Sequence, residues 1–370
     1  MHVLMVNRYF YPYLGGVEFH ILNLTQELLR LGCQVTVACR RRPGESASET
    51  FRGICVRRAR TLRDLASVLD DSVDVVHVHM PRNAFAFAGL YLARRRGIPT
   101  VFTPHCFYPS DAPIKAGLKA LIDSSATPMM FRMSDATINL TEQDRRDATS
   151  RGLAISRSLI IPNSVRLREL ASVNAVDFRE RATLPPAFLL HVGRFDAIKH
   201  IDFLIRAHRR LAPLGLALIG QDRGTLASAR RLVDTLGLTR SVRLLERATF
   251  AELCGAYQQA SALVMASEYE GLPTVILESM YFGTPVVAAG VGGIPYVVTD
   301  GSIGRVYPWG DEDAYVRAVQ QVLEAGATDA HRSRDVVAER YSWEANAPKV
   351  LALYRTLVER RLADGQKVSQ

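Results

Sequence analysis

Short runs rich in β-branched residues alternate with amphipathic stretches along the chain, the pattern of parallel sheets wrapped by helices. His2–Val6 reads as a strand, a loop holding Gly15-Gly16 follows, and 17–31 reads as a helix. In that helix Phe19, Leu22, Leu24, Leu28, Leu29 and Leu31 fall mostly on one face, and Gly32 stops it. Strands follow at 34–39 and 73–78, a helix at 83–96, and a strand at Thr100–Thr103 that ends in Pro104-His105. Two further alternations lead to a strand at 159–161. The stretch 164–184 is polar, lacks a clear period and closes on Pro185-Pro186, so it reads as a linker. A second series places strands at 187–192, 216–219, Val242–Leu245, Ala262–Met265 and Val286–Ala289.

The resulting fold class is α/β, with two Rossmann-like, doubly wound domains facing each other across an interdomain cleft. The first spans residues 1–165, with about 345–370 packing back on it through a helical stretch at 343–362; the second spans 166–344. Ligands of such sheets bind at the carboxyl ends of the strands, so the informative residues are expected just after strands.

A length of 370 residues suits two such domains better than one core. With 48% apolar and 22% charged residues the composition excludes a disordered chain. No basic start leads into a long apolar run before Arg8 and Pro12, and no stretch is long enough to span a bilayer, which predicts a cytoplasmic protein. Cys33, Cys39, Cys55, Cys106 and Cys254 are scattered without ligand spacing and read as reduced thiols. The net charge of +9 is uneven: residues 1–165 hold 21 Lys/Arg against 14 Asp/Glu, the remainder 25 against 23. A basic first half suits an anionic acceptor, a membrane surface or nucleic acid, or reflects generic use of Arg on surfaces. Arg94–Arg96 without aromatic interleaving is a poor nucleic-acid signal, and none is expected to bind.

The strongest chemistry lies in the second half. Gly193-Arg194-Phe195-Asp196-Ala197-Ile198-Lys199 follows a strand, and its two cations can reach one anion, Arg bidentately and Lys as a point charge. After Ala262–Met265 comes Ser267-Glu268-Tyr269-Glu270-Gly271-Leu272-Pro273-Thr274-Val275-Ile276-Leu277-Glu278. Here Glu270 is expected at a helix start and Glu278 a little over two turns on, with both carboxylates along one side. Gly271 admits a close ligand, free amides of the first turn suit phosphate oxygens, and Pro273 suits that turn.

Together and in order these motifs resemble glycosyltransferase family 4, whose members have the GT-B architecture. The resemblance runs through Gly15-Gly16-Val17-Glu18, His77-Val78-His79, Thr103-Pro104-His105, Pro162-Asn163-Ser164-Val165, Gly193-Arg194-Phe195 with Lys199, and Glu270/Glu278. Gly283-Thr284-Pro285-Val286-Val287-Ala288 and Val291-Gly292-Gly293-Ile294-Pro295 complete it.

The resemblance implies a retaining transferase that takes a hexose or N-acetylhexosamine from a nucleotide-sugar donor to an acceptor hydroxyl. No cofactor or metal is required, and a UDP-sugar is favoured over a GDP-sugar. It implies that Arg194 and Lys199 hold the donor diphosphate, Glu270 the transferred sugar and Glu278 the ribose. It also implies that Gly15 and Gly16 form a glycine loop facing the donor phosphate, that Gly271, Leu272 and Thr274 line the donor site, and that His105 sits near the reacting centre. Pro273 stands where members often carry glycine, which removes one backbone donor. Glu18, His20 and Arg82 are the acceptor candidates.

The segment 107–133 contains Ile114, Lys115, Leu118, Lys119, Leu121 and Ile122, then Met129, Met130 and Phe131. That basic amphipathic pattern leaves open a peripheral contact with the anionic inner membrane face. Asp311-Glu312-Asp313 reads as helix-capping acids rather than a metal triplet, and the His77/His79 pair shows no third ligand. The rival readings are a nucleotide-sugar epimerase and a non-catalytic nucleotide-sugar-binding protein of the same fold; the chain leaves the oligomeric state open.

Overall fold

The computed structural model describes all residues except 14, 81–82, 106–124, 154–156, 300, 327–328 and 369–370. The chain folds as two units, the first formed by Met1–Ser164 with Trp343–Gln370 and the second by Val165–Ser342.

Unit 1 holds the strands β1 (His2–Val6), β2 (Gln34–Arg40), β3 (Ser48–Phe51), β4 (Ile54–Ala59), β5 (Val75–His79), β6 (Thr100–Thr103), β7 (Ala136–Asn139) and β8 (Ser158–Ile160). They form one sheet in the order β3-β4-β2-β1-β5-β6-β7-β8. Every pairing is parallel except β3 with β4. From β1 the chain winds outward to β2 and β4, then returns to the other side of β1 for β5. The switch point, where loops diverge and ligands of such sheets sit, is thus between β1 and β5.

Both faces of this sheet are covered, which is why its strands read as continuous apolar runs. Val3 and Met5 point into one core and Leu4 and Val6 into the other, the two-residue alternation of a strand. On the first face lie the helix Gly16–Arg30 and the last helix, Trp343–Val368, which contributes Trp343, Ala347, Val350, Tyr354 and Leu357. On the second lies Ala84–Arg95.

Unit 2 holds β9 (Phe188–Val192), β10 (Gly215–Ile219), β11 (Val242–Leu245), β12 (Ala262–Met265), β13 (Val286–Ala289) and β14 (Gly304–Tyr307). They pair parallel in the order β11-β10-β9-β12-β13-β14, with the switch point between β9 and β12. Leu190, Leu263 and Met265 enter one core while Leu189, Ala262 and Val264 enter the other.

Three expectations need correction. The stretch 164–184 is not a bare linker: it forms the short helices Leu167–Ala171 and Phe178–Arg181 and buries Leu170, Phe178 and Leu184 in the core of unit 2. Three apolar anchors among many charges carry too little period to be read as helix. The hairpin β3–β4 and the edge strand β14 were not expected, being short and rich in Arg, Glu and Gly. Met130 and Phe131 are 1% and 2% exposed and pack in the unit 1 core, so neither is available to a membrane. Met129, on the same helix, is exposed, and Ile114, Lys115, Leu118, Lys119, Leu121 and Ile122 lie outside the described residues. Among the described residues no helix is long and apolar enough to cross a membrane, and Cys33, Cys39, Cys55 and Cys254 are free thiols.

Because the last helix completes the core of unit 1, Leu357→Ala is expected to destabilise that unit by about 2–5 kcal/mol. Hydrogen exchange should quicken in β1 and β2 and stay unchanged in β9 and β12. Equal quickening in both units would contradict this division of the core.

Candidate functional site

The reactive side chains gather at the two switch points. In unit 2, β9 runs into Gly193, and a Cβ there would stand 2.9 Å from His191 Nε2, so the turn needs a glycine to leave the sheet. Gly220, at the end of the neighbouring β10, is held even more tightly, since its Cβ would meet the Gly193 carbonyl oxygen at 1.9 Å. The chain then lifts Arg194 to the surface, with its guanidinium 3.6 Å from Asp196 and its side chain 48% exposed. A single turn of 3-10 helix, Ala197–Lys199, brings Lys199 back toward the strand ends.

There Lys199 Nζ donates to Glu270 Oε1 at 2.5 Å, with side chains 14% and 8% exposed. Glu270 lies in the loop after β12 and is not at a helix start as expected. The helix begins only at Thr274, with Pro273 as its N-cap residue, so the two carboxylates do not share one helical side. Leu272 and Pro273 delay the helix, because Leu272 is buried in the core and proline disfavours helical geometry before it. The Glu270 loop is held from behind by a second glycine pair. Gly292 has φ +54°, and a Cβ on it would stand 1.7 Å from the Glu270 carbonyl oxygen, while Gly293 N donates to Gly271 O at 2.8 Å.

Glu278 is one turn into the helix Thr274–Tyr281 and accepts from Tyr257 Oη at 2.7 Å. Burial pushes its carboxyl above the usual range, opposed by hydrogen bonds from Tyr257 and Thr274. Burial and the Glu278 charge hold the Tyr257 phenol protonated, so it remains a donor. No side chain caps this helix at its N-cap residue Pro273.

In unit 1, four imidazoles meet beside the β1/β5 switch point. His77 and His79 lie on β5, His105 follows β6, and His20 projects from the helix Gly16–Arg30. None is more than 6% exposed. His79 Nδ1 and His105 Nε2 are 3.1 Å apart, His20 Nδ1 is 3.2 Å from Asn163 Oδ1, and His77 contacts Tyr354 Oη at 2.6 Å and Thr103 Oγ1 at 2.7 Å. The His20 ring meets those of His105 and Trp343 edge to face. His105 holds a left-handed backbone at φ +64°, an uncommon conformation for a residue with a side chain. Burial, then the neighbouring imidazoles, hold His79 and His105 well below the usual histidine range; burial takes His20 to about 4, its bond to Asn163 opposing. All are therefore neutral near pH 7.

His20, His79 and His105 have ring nitrogens within 4.8 Å of one another, so the expectation that the His77/His79 pair has no third ligand beside it is corrected: His79 has two, though not His77. Their separation in sequence conceals the convergence. In contrast, Asp311-Glu312-Asp313 is occupied otherwise: Asp311 caps the helix Glu312–Ala325 by accepting from Ala314 N at 2.8 Å, and Glu312 and Asp313 pair with Arg210 at 3.6 and 2.6 Å.

The glycine loop is partly structural. Glu18 turns back to accept from Gly15 N at 3.0 Å and from Asn7 Nδ2 at 3.1 Å, closing the start of its helix. A Cβ on Gly15 would stand 2.8 Å from that carboxylate, whereas one on Gly16 would meet nothing within 4 Å. His20 is an interior member of the imidazole cluster. Arg82 lies outside the described residues. Leu272 is 4% exposed, so its side chain is closed to a ligand. Sequence reasoning missed Tyr257, Trp343 and Tyr354, whose roles depend on contacts between distant elements and leave no local pattern.

Two doubly wound parallel sheets, the second with cations and carboxylates at its switch point, define a glycosyltransferase of the GT-B type. Residues 14–169 match the family described as Glycosyltransferase Family 4 and residues 174–340 match Glycosyl transferases group 1. The chain belongs to this family of transferases. Among its relatives, the D-inositol 3-phosphate glycosyltransferase of Thermobifida fusca is 28% identical, over 92% of this chain and 88% of that protein. The protein of the same name from Mycolicibacterium paratuberculosis is 27% identical, over 93% and 86%. Of solved structures, sucrose-phosphate synthase from Thermosynechococcus elongatus superimposes with a TM-score of 0.81 at 22% identity, over 97% of this chain and 99% of that one. Anabaena HepE in complex with UDP-glucose gives 0.79 at 18% identity, over 96% and 100%.

The imidazole cluster makes unit 1 acid-sensitive. Each ring is neutral when folded and titrates near 6.5 when unfolded, so the unfolded chain binds more protons as pH falls through that value. Stability is fully present above about pH 6.5 and should fall below it by up to about 1.4 kcal/mol per pH unit for each buried ring. Urea unfolding whose midpoint did not move between about pH 7.5 and about pH 5.5 would contradict this burial.

Proposed function

We propose that this transferase moves a hexose or N-acetylhexosamine from a UDP-sugar to an acceptor hydroxyl with retention of configuration and without a metal ion. In this reading unit 2 holds the donor and unit 1 the acceptor. The observation that carries it is the Lys199–Glu270 pair at the β9/β12 switch point, with Arg194 exposed on the same turn and a helix start beside it. Arg194 and Lys199 take the diphosphate, with first-turn amides near Thr274. Glu270 takes hydroxyls of the transferred sugar and Glu278 those of the ribose, where desolvation makes a charge-assisted hydrogen bond strong. Anabaena HepE, which shares this fold, is solved with UDP-glucose.

The chemistry follows from charge. The bond between the anomeric carbon and the diphosphate oxygen breaks, its electron pair leaves with the nucleotide, and positive charge builds on the sugar. Arg194 and Lys199 stabilise the departing diphosphate from fixed positions, the preorganised electrostatic effect that dominates many enzymes. The acceptor oxygen attacks from the side of the leaving group and passes its proton to a diphosphate oxygen, so no protein nucleophile is needed. His105, neutral and strained into position, offers a hydrogen bond to the reacting sugar, and Gly15-Gly16 face the donor phosphate. Gly16 has no packing reason to lack a side chain, which fits close approach by a ligand.

A thermal-shift panel of UDP, GDP, ADP and their sugar conjugates, with and without EDTA, tests this reading. Stabilisation by the UDP series alone, unchanged by EDTA, is expected. Arg194→Ala and Glu278→Ala should each weaken UDP by about ten- to a hundredfold, the worth of one charged hydrogen bond. No response to any nucleotide from folded protein would overturn the donor site.

A further inference from the structure

Unit 1 carries a second concave site that the donor chemistry does not use. A cavity of about 450 Å³ opens over the carboxyl ends of the adjacent strands β2, β1 and β5, within the roughly 300–1,000 Å³ typical of small-molecule sites. Arg40 is the last residue of β2, Arg8 follows β1, and Asn83 follows β5. Arg40 N donates to Arg8 O at 3.1 Å, so both guanidinium stems spring from one backbone junction.

The charges here are uncommitted in a way their neighbours are not. Arg41 Nε donates to Glu45 O at 2.9 Å, and Arg42 N donates to the Glu45 carboxylate at 2.8 Å while its guanidinium lies 3.9 Å from the Tyr13 ring centre. Those two arginines hold their own loop together. Arg8 lies over the Tyr9 ring at 5.0 Å, and among the described residues neither Arg8 nor Arg40 has a carboxylate partner. Both side chains are exposed.

The opposite wall is apolar. Phe85 and Phe87 open the helix Ala84–Arg95 and are only half-buried, with Met130 closing the cavity behind them. That helix start offers no free anion site of its own, because Asn83 Oδ1 already accepts from the amides of Phe85 and Ala86 at 3.0 and 3.4 Å. An anion entering the cavity is therefore left to the two arginines. Two unpaired guanidinium groups facing two half-exposed aromatic rings match a ligand with one anionic end and one apolar end.

We infer that this cavity binds an anionic amphiphile, its phosphate or carboxylate on Arg8 and Arg40 and its apolar portion against Phe85, Phe87 and Met130. Its role as the acceptor rests on the proposed transferase reading; its binding does not. The same headgroup chemistry is available from a free molecule or from a lipid in a bilayer.

Calorimetric titration without any donor separates these points. Octyl phosphate, kept below its micelle concentration, is compared with inorganic phosphate and with octyl glucoside. Octyl phosphate is expected to bind about tenfold or more tighter than either, because only it fills both halves of the site. The double variant Arg8→Gln/Arg40→Gln should lose about tenfold or more of that affinity, and Phe85→Ala/Phe87→Ala should bring it down to the level of inorganic phosphate. Equal binding of octyl phosphate and inorganic phosphate, or unchanged binding in the arginine double variant, overturns the inference. Sedimentation with phosphatidylglycerol vesicles, lost in the arginine double variant, supports it with a bilayer lipid as the source. Octyl phosphate binding without sedimentation supports it with a free molecule. A parallel UDP titration of the unaltered protein reports on the donor reading separately, so either conclusion can fail alone.

Discussion

The ion pair between Lys199 and Glu270 joins the two strand ends that flank the switch point of unit 2, and much of that unit is arranged to make it possible. A buried pair of this kind contributes little net stability, since each charge loses its water, but removing one partner costs about 3–5 kcal/mol because the other is left unpaired. Its surroundings are correspondingly exact. Gly193 and Gly220 let the loops after β9 and β10 pass at atomic contact, and Gly292 approaches the Glu270 backbone where no side chain fits. These glycines fix where the cation and the carboxylate stand before any ligand arrives.

Unit 1 solves a different problem. Four histidines are packed where charge is expensive, and burial keeps them neutral, so the cluster works as a hydrogen-bonded scaffold rather than as a cationic patch. Tyr354 and Trp343, from the far end of the chain, hold His77 and His20. The returning helix therefore does more than cover the sheet: it orients the rings that lead to His105. Arg8 and Arg40, exposed on the neighbouring strand ends, stand apart from this neutral cluster.

Much of this was legible in the sequence, and the part that was not has a physical reason. Apolar runs located β1, β6, β12 and β13 because strands covered on both faces are continuous apolar runs. The same criterion passed over β3, β4 and β14, where Arg, Glu and Gly dilute the pattern. The ordered motifs carried the family, and Arg194, Lys199, Glu270 and Glu278 were picked out by spacing along the chain. Spacing misjudged their geometry, because the burial of Leu272 and the backbone preference before Pro273 hold the helix off until Thr274. Tyr257 beside Glu278, and His20 beside His79 and His105, were illegible: each contact joins elements whose adjacency exists only once the sheet has formed.

Lys199 pairs with Glu270 in the free protein and, in the proposed mechanism, with a diphosphate in the complex. A double-mutant cycle with Lys199→Met and Glu270→Gln measures this directly, reading both urea stability and UDP affinity. Lys199→Met should destabilise the protein by about 3–5 kcal/mol, and the double variant should regain most of it. UDP affinity should nevertheless stay about tenfold or more weaker in both. A double variant that binds UDP as tightly as the unaltered protein would show that Lys199 only pairs with Glu270, and the account of the donor site would fail.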